Sequence, residues 1–253
     1  MKKPIIYVIS SMKGGVGKTL TSLQIGDYFS KKGKKALLVD LDEQKNLSIA
    51  TNMKQIEVSS YDVLLDPSAV NNAIHKITDY LYIIPSSNRL ASIDTELTEL
   101  GKEQRLKEAF EQISIPFDYI IIDTPPAFKL ATLNAFCVPN VRIITPVLCD
   151  DFGINSINEL TKFIIQVKKY ANPTLTIEGI LLTMYSSRNI LSRQYTIYIE
   201  KMAEQIGTKV FKSRIRTAIA IREALNHKQS IFDYAPTSKI AVDYENFIKE
   251  LEE

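Results

Sequence analysis

The chain has no tryptophan, and only two histidines and two cysteines among its 253 residues. His75 and His227 stand far apart and away from any cysteine spacing, which excludes a zinc-finger or histidine metal cluster. Cys137 and Cys149 offer no disulfide framework and suit a reducing compartment, so a cytoplasmic protein is expected. Each cysteine reads as a small buried hydrophobe, and neither lies in a glycine-rich setting that a subunit-bridging iron–sulfur cluster would use. Runs of eighteen apolar residues are also missing, so no transmembrane helix is expected. The basic start at Lys2 and Lys3 has the charge of a signal peptide. The apolar residues after it, however, pass straight into a glycine loop that cleavage would destroy, so they read as a first core strand. No internal repeat, low-complexity tract or Gly/Ser linker divides the chain, and residues 1–253 read as a single domain.

Net charge is small as well, at +2, but it is unevenly placed. The segment from Arg188 to Lys228 carries nine Lys or Arg against three Glu, a local +6, while the remainder is −4. Such a segment is either solvated surface or a face for a phosphate backbone. No recognition-helix motif, zinc knuckle or interleaved set of stacking aromatics accompanies it. Any nucleic-acid contact is therefore expected to be to phosphate, without sequence preference and sensitive to salt.

What the chain does have is a regular alternation of apolar runs and helical stretches. Strand-like runs fall at 5–9, 36–39, 80–84, 119–122, 141–147 and 177–184. Helical patterns fall at 19–32, 91–113, 151–170 and 192–206. The alternation predicts a three-layer α/β/α fold with a mostly parallel central sheet. Gly33, after Lys31 and Lys32, reads as a helix stop, with the lysines favouring the helix's negative end. Asp62 reads as the cap of a short helix that Pro67 ends. Near the C-terminus, Ile240, Tyr244, Phe247, Ile248 and Leu251 form one stripe, the pattern of a helix docked on its own domain.

The most informative stretch is SSMKGGVGKT at 10–19, between the first strand and the first helix. Gly14, Gly15 and Gly17 let backbone amides converge on oxyanions, Lys18 can reach β- and γ-phosphates, and the Thr19 hydroxyl can ligate magnesium. Lys13 is a second lysine that local phosphate binding does not require. Two further strands end in carboxylates, at Asp40-Leu41-Asp42 and at Asp123-Thr124-Pro125-Pro126. At the carboxyl ends of parallel strands these face the same crevice, where they can orient a water or hold Mg²⁺ through its hydration shell. Each aspartate has a plainer reading as the cap of the next turn.

KGGVGKT at 13–19, DLDEQKN at 40–46 and IIDTPP at 121–126 resemble the deviant Walker P-loop ATPases of the ParA/Soj and MinD type. GILLTMYSSRNILS at 179–192, VFKSRIRTAIAIREAL at 210–225 and YAPTSKIAVDYENFIKEL at 234–251 resemble the later segments of the partition branch, so the likeness spans nearly the whole chain. The resemblance implies an ATP-dependent DNA partition or chromosome segregation ATPase that cycles slowly between ATP and ADP with Mg²⁺. ATP would close two monomers face to face, and the homodimer would bind double-stranded DNA non-specifically on the nucleoid. A ParB-like centromere-binding partner would stimulate hydrolysis and release it.

Carried over by position, the nucleotide loop comprises Lys13, Gly14, Gly15, Val16, Gly17, Lys18, Thr19 and Leu20, with Met184 and Tyr185 at the adenine. Lys13 would cross to the partner subunit's phosphates, Lys18 would act within its own subunit, and Asp42 would position the attacking water. Thr19 would bind magnesium and Asp123 would support it through water. Asp40, Asp42, Asp123, Pro125 and Pro126 would form the switches, and Arg188, Arg193, Arg214, Arg216 and Arg222 the DNA face.

The sequence departs from the pattern in two places. The family's Asp-Pro-Gln-Gly-Asn is Asp42, Glu43, Gln44, Lys45 and Asn46 here. In the basic motif, Ala220 stands where the second arginine would be and Arg216 where a proline would be. Two other readings remain open at this point: a MinD-like membrane-positioning ATPase, which would need a basic amphipathic terminal helix that the chain's Leu-Glu-Glu ending does not supply, and a nucleotide-binding scaffold with little turnover. The chain opens directly on its first strand without a helix-turn-helix extension, so no operator-specific reading is expected.

Overall fold

The computed structural model describes residues 3–53 and 56–253; the basic start at Met1 and Lys2 lies outside them. Eight strands form one sheet: β1 (Ile5–Ile9), β2 (Ala36–Asp40), β3 (His75–Lys76), β4 (Leu81–Ile84), β5 (Tyr119–Asp123), β6 (Val141–Val147), β7 (Thr176–Tyr185) and β8 (Val210–Arg216). Their spatial order is β3-β4-β2-β5-β1-β6-β7-β8. Every pairing is parallel except that of β3, which runs antiparallel along β4 at one edge.

The helices in the first half are α1 (Lys18–Lys31), α2 (Asn46–Ala50), α3 (Ser60–Leu65), α4 (Val70–Ala73), α5 (Ile93–Glu96) and α6 (Arg105–Glu111). The second half adds α7 (Leu130–Cys137), α8 (Asp151–Tyr170), α9 (Ile190–Gln205), α10 (Ile219–Asn226), α11 (Ile231–Tyr234) and α12 (Lys239–Glu252). Among the described residues, no helix is long and apolar enough to cross a membrane.

Alternation along each strand divides the core in two, because successive side chains point to opposite faces. Val8, Leu37, Val39, Ile120, Ile122 and Ile143 pack with Leu160, Ile164 and Val167 of α8 on one face. Tyr7, Ile9, Leu38, Ile121 and Ile144 pack with α1 and α12 on the other. The expected stripe on α12 is buried throughout, and it lies against α1 and β8. Gly26 lets α1 approach closely: a Cβ there would come within 2.6 Å of the Leu38 side chain. At its start α1 meets the end of β5, where Thr19 and Ser22 donate to Asp123.

Three local expectations change. The single helix read over 91–113 is broken between α5 and α6, where Leu100 is fully exposed and Gly101 takes φ 80°. That left-handed conformation ends a helical run. At α3 the cap is Ser59, and Asp62 is its reciprocal partner in a capping box. The carboxylate of Asp62 accepts from the Ser59 backbone at 2.9 Å. Finally, β8 and β3 extend the six expected strands to eight. Both are edge strands with mixed polarity, so they lack the continuous apolar run that marks the central ones.

Candidate nucleotide site

The sheet's parallel strands end on one side, and the chemistry-bearing residues gather there. A cleft of about 500 Å³ is lined by Gly14, Gly15, Gly17, Lys18, Thr19, Leu20, Asp42 and Pro126, with Met184 on its wall. The glycine loop leaves β1 and enters α1 through Gly17, whose φ of 90° is a conformation L side chains rarely adopt. Helix α1 has no side-chain cap and no acidic residue in its first turn. Its unpaired amides and positive dipole end are therefore presented to an anion.

Lys18 is buried, and its Nζ donates to the carbonyls of Ser11 at 3.3 Å and Lys13 at 3.2 Å. Burial lowers its pKa, and the nearby carboxylates of Asp123 and Asp42 oppose that shift. At the cleft floor the Thr19 hydroxyl donates to Asp123 Oδ2 at 2.7 Å, and Ser22 donates to Asp123 Oδ1 at 3.2 Å. Asp123 is fully buried beside Asp40, its register partner on β2. Burial, reinforced by the charge of Asp40, pushes its carboxyl up to about 8, against the pull of Thr19 and Lys18.

Asp40 and Asp42 have different situations. Asp40 accepts from the Asp42 amide at 3.1 Å, the Ser48 amide at 2.9 Å and the Ser48 hydroxyl at 2.7 Å. Burial raises its pKa to about 6, opposed by those bonds. Asp40 thus fastens the 42–48 loop from beneath. Asp42 lines the cleft, and its carboxylate accepts from the Gln44 amide at 3.0 Å. Lys45, where the family pattern has glycine, takes φ 58°. A second cavity of about 150 Å³ joins Asp42, Glu43 and Gln44 to Pro125 and Pro126, so the loops that follow β2 and β5 share a boundary.

Lys13 sits at the rim. Its Nζ lies 2.7 Å from Asp150 Oδ2 and 4.8 Å from the centre of the Phe152 ring. Val16 is buried, and its carbonyl accepts from the Thr183 hydroxyl at 2.8 Å, tying the loop to β7. Met184 lines the cleft at φ 49°, an uncommon conformation for a bulky residue. Tyr185, by contrast, packs with Val147, Ile180 and Ile199. Asn46, Ile49, Leu225 and Asn226 also line the cleft. Asn46 and Leu225 fall inside segments already singled out but were given no site role, and Ile49 and Asn226 carry no local signal, since α2 and α10 meet at the cleft only through tertiary folding.

The basic candidates divide. Arg188, Arg193 and Arg222 are exposed on the turn after β7, on α9 and on α10. Arg214 Nη2 lies 3.2 Å from Glu200, and Arg216 is gripped by Asp243 through Nε at 2.6 Å and Nη2 at 2.7 Å.

A parallel sheet with this glycine loop, lysine, threonine and strand-end aspartates defines a P-loop nucleotide-binding protein. A family model described as an AAA domain matches residues 4–177. The chain is 36% identical over 250 residues to the sporulation initiation inhibitor protein Soj of Bacillus subtilis, covering 97% of both chains. It is 30% identical to the chromosome-partitioning ATPase Soj of Treponema pallidum, covering 99% of this chain and 97% of that one. The crystal structure of cobyrinic acid a,c-diamide synthase from Mycobacterium smegmatis, with bound ADP and magnesium, is similar with a TM-score of 0.82 and 28% identity, covering 99% and 94%. The chain belongs to the Soj/ParA family of partitioning ATPases.

Proposed function

We propose that this chain is a DNA-partition ATPase that hydrolyses ATP to ADP and phosphate slowly, with Mg²⁺, and that ATP assembles it into a homodimer. The observation that carries the reading is the convergence of the glycine loop, Lys18, the Thr19–Asp123 pair and Asp42 in one cleft, with a second lysine at its rim. The fold alone hosts several chemistries, so the assignment rests on these residues.

The glycine-loop amides and the α1 N-terminus would hold the phosphates, and Lys18 would reach across them. Thr19 and Asp123 supply hard oxygen donors 2.7 Å apart at the floor, which suits magnesium. An ion held by so few protein oxygens would take its remaining ligands from phosphate and water. Magnesium bound there would offset phosphate charge. Asp42, at the cleft wall, would accept a proton-bearing contact from the attacking water and hold it in line.

Lys13 would leave Asp150 and cross to the partner subunit, where a second cation stabilises the charge of the transferring phosphoryl group. A half-exposed ion pair of this kind is worth about 0–1 kcal/mol, so its release costs little. Arg188, Arg193 and Arg222, which form no salt bridge among the described residues, would carry non-specific contacts to double-stranded DNA, with Arg214 and Arg216 already offset by carboxylates. Two such faces in a dimer bind by avidity. A ParB-like partner would accelerate hydrolysis, and the protein would work in the cytoplasm on the nucleoid.

The test is molecular mass and DNA binding measured together in ADP, ATP and a non-hydrolysable ATP analogue. Doubling of mass and DNA binding are expected only with ATP and the analogue. Nucleotide-independent binding, or no turnover with DNA and partner in any combination, would overturn the proposal.

A further inference from the structure

Helix α10 forms one wall of the cleft through Leu225 and Asn226, and its first turn is held by apolar packing of Ile221 without a side-chain cap. Its N-cap, Ala218, has no side chain to cap with, and its first turn has no acidic residue. At its far end the chain is tied down: Ser230 Oγ donates to the buried Asp27 at 2.6 Å, and the Ile231 amide donates to Gln24 Oε1 at 2.9 Å, both on α1. The near end follows directly from the edge strand β8, and its charged attachment lies three residues before the helix. Arg216 donates to Asp243 three times: from its backbone N–H to Oδ2 at 3.1 Å, from Nε to Oδ2 at 2.6 Å and from Nη2 to Oδ1 at 2.7 Å. Asp243 is buried on α12, whose apolar stripe is fixed in the core.

We propose that the Arg216–Asp243 clamp is a positioning device for the nucleotide cleft, setting where the 217–226 wall stands against the glycine loop. The wall and the loop are contiguous. Arg216, Thr217, Ala218 and Ile221 enclose a cavity of about 60 Å³ with Val16, Gly17 and Leu20 on its other side. The clamp needs both features that distinguish arginine from the proline of the family pattern: a backbone N–H, which proline lacks, and a planar fork that matches a carboxylate bidentately. A proline fixes its own φ, whereas Arg216 fixes the same strand end by attaching it to another helix. The role of Arg216 is then to hold the wall, and its charge is spent on Asp243 rather than on DNA. The inference rests on the reading of this cleft as the nucleotide site.

The experiment compares Asp243→Asn and Arg216→Lys with the unmodified protein by calorimetric titration of MgADP and of a non-hydrolysable MgATP analogue. Steady-state ATP turnover, duplex-DNA affinity at saturating analogue and melting temperature are measured alongside. Asp243→Asn is expected to weaken both nucleotides about tenfold and to raise the KM for ATP by a similar factor, while turnover at saturation changes less than twofold. Arg216→Lys keeps the charge and the backbone N–H but loses the fork, so an intermediate loss of about threefold is expected. Because that change is conservative, it carries the test if Asp243→Asn does not fold. Unchanged nucleotide affinity in the folded variants would overturn the clamp. So would tighter DNA binding by Asp243→Asn without a nucleotide defect, since a freed Arg216 would then be a DNA contact. Failure of the unmodified protein to bind either nucleotide would instead remove the reading of the cleft itself.

Discussion

The nucleotide end of the sheet and the basic segment from 188 to 228 hold their charges in different ways. At the nucleotide end, Lys18, Asp40, Asp42 and Asp123 are all buried within one crevice, and their spacing in the sequence follows from the strand ends that carry them. In the basic segment, five candidate arginines are spread over a turn, two helices and a strand, and their freedom is decided by carboxylates from elsewhere. Glu200 offsets Arg214, and Asp243, 27 residues beyond Arg216, grips it. A buried site is defined by what its own loops bring together; a charged face is defined by which charges the rest of the fold leaves unpaired.

Substitutions at the buried end should have the largest effects. Lys18→Ala should reduce turnover about 10²–10³-fold by removing a preorganised cation from the phosphates. Asp42→Ala should lower turnover by about 10²-fold or more while the ATP dimer persists, because the residue is assigned to the water and not to phosphate binding. Single-turnover assays with light scattering check both, and turnover like that of the unmodified protein in Asp42→Ala would contradict its role. Lys13→Ala should keep monomer stability within about 1 kcal/mol, since only a partly exposed ion pair is lost. It should nonetheless abolish the ATP dimer. A normal dimer by light scattering would return Lys13 to a purely intramolecular role beside Asp150.

These residues were legible because a P-loop compresses its chemistry into a few consecutive positions, and because aspartates after apolar runs must lie at strand ends. The sheet was legible for the same reason in its central strands. β8 was not read as a strand, since a run such as Val210–Arg216, half exposed at an edge, has no continuous apolar signal. The helical pattern over 91–113 overruns the break at Gly101 because a buried pair at helical spacing stands on each side of it, Ile93 with Leu97 and Leu106 with Ala109. Leu225 and Asn226 carry no local signal for the cleft, because the tertiary return of α10 brings them to it. The resemblance places Tyr185 at the adenine with Met184, but the left-handed turn of the backbone at Met184 separates the two, and of the pair Met184 lines the cleft while Tyr185 packs on the neighbouring apolar cluster.

The unpaired part of the basic face gives a smaller and graded prediction. Replacing Arg188, Arg193 and Arg222 together by alanine should weaken analogue-dependent binding similarly on unrelated duplexes. If each arginine neutralises one phosphate, the slope of log affinity against log salt should fall by about 2.7, at about 0.9 per contact. Fluorescence anisotropy across a salt series measures it. An unchanged slope would move the DNA face off this segment, and a loss on one sequence only would contradict phosphate readout.

The smallest effect is expected where the buried end itself departs from the family pattern. Gly17 and Lys45 both occupy left-handed backbone, at φ 90° and 58°, one with the residue that adopts it freely and the other without. A side chain in that region costs roughly 1–2 kcal/mol, while glycine adds unfolded-state entropy that returns about 0.4–1 kcal/mol of the gain. Lys45→Gly should therefore stabilise the protein by about 0.5–1 kcal/mol, a rise in melting temperature of about 1–4 °C. The bonds that hold the loop, from Asp42, Ser48 and Ser86 to their partners, do not involve the Lys45 side chain. Thermal denaturation without nucleotide isolates the backbone effect. A fall in melting temperature would mean that the lysine side chain stabilises the switch loop by more than its backbone strains it, and that the departure from glycine serves this loop rather than merely being tolerated.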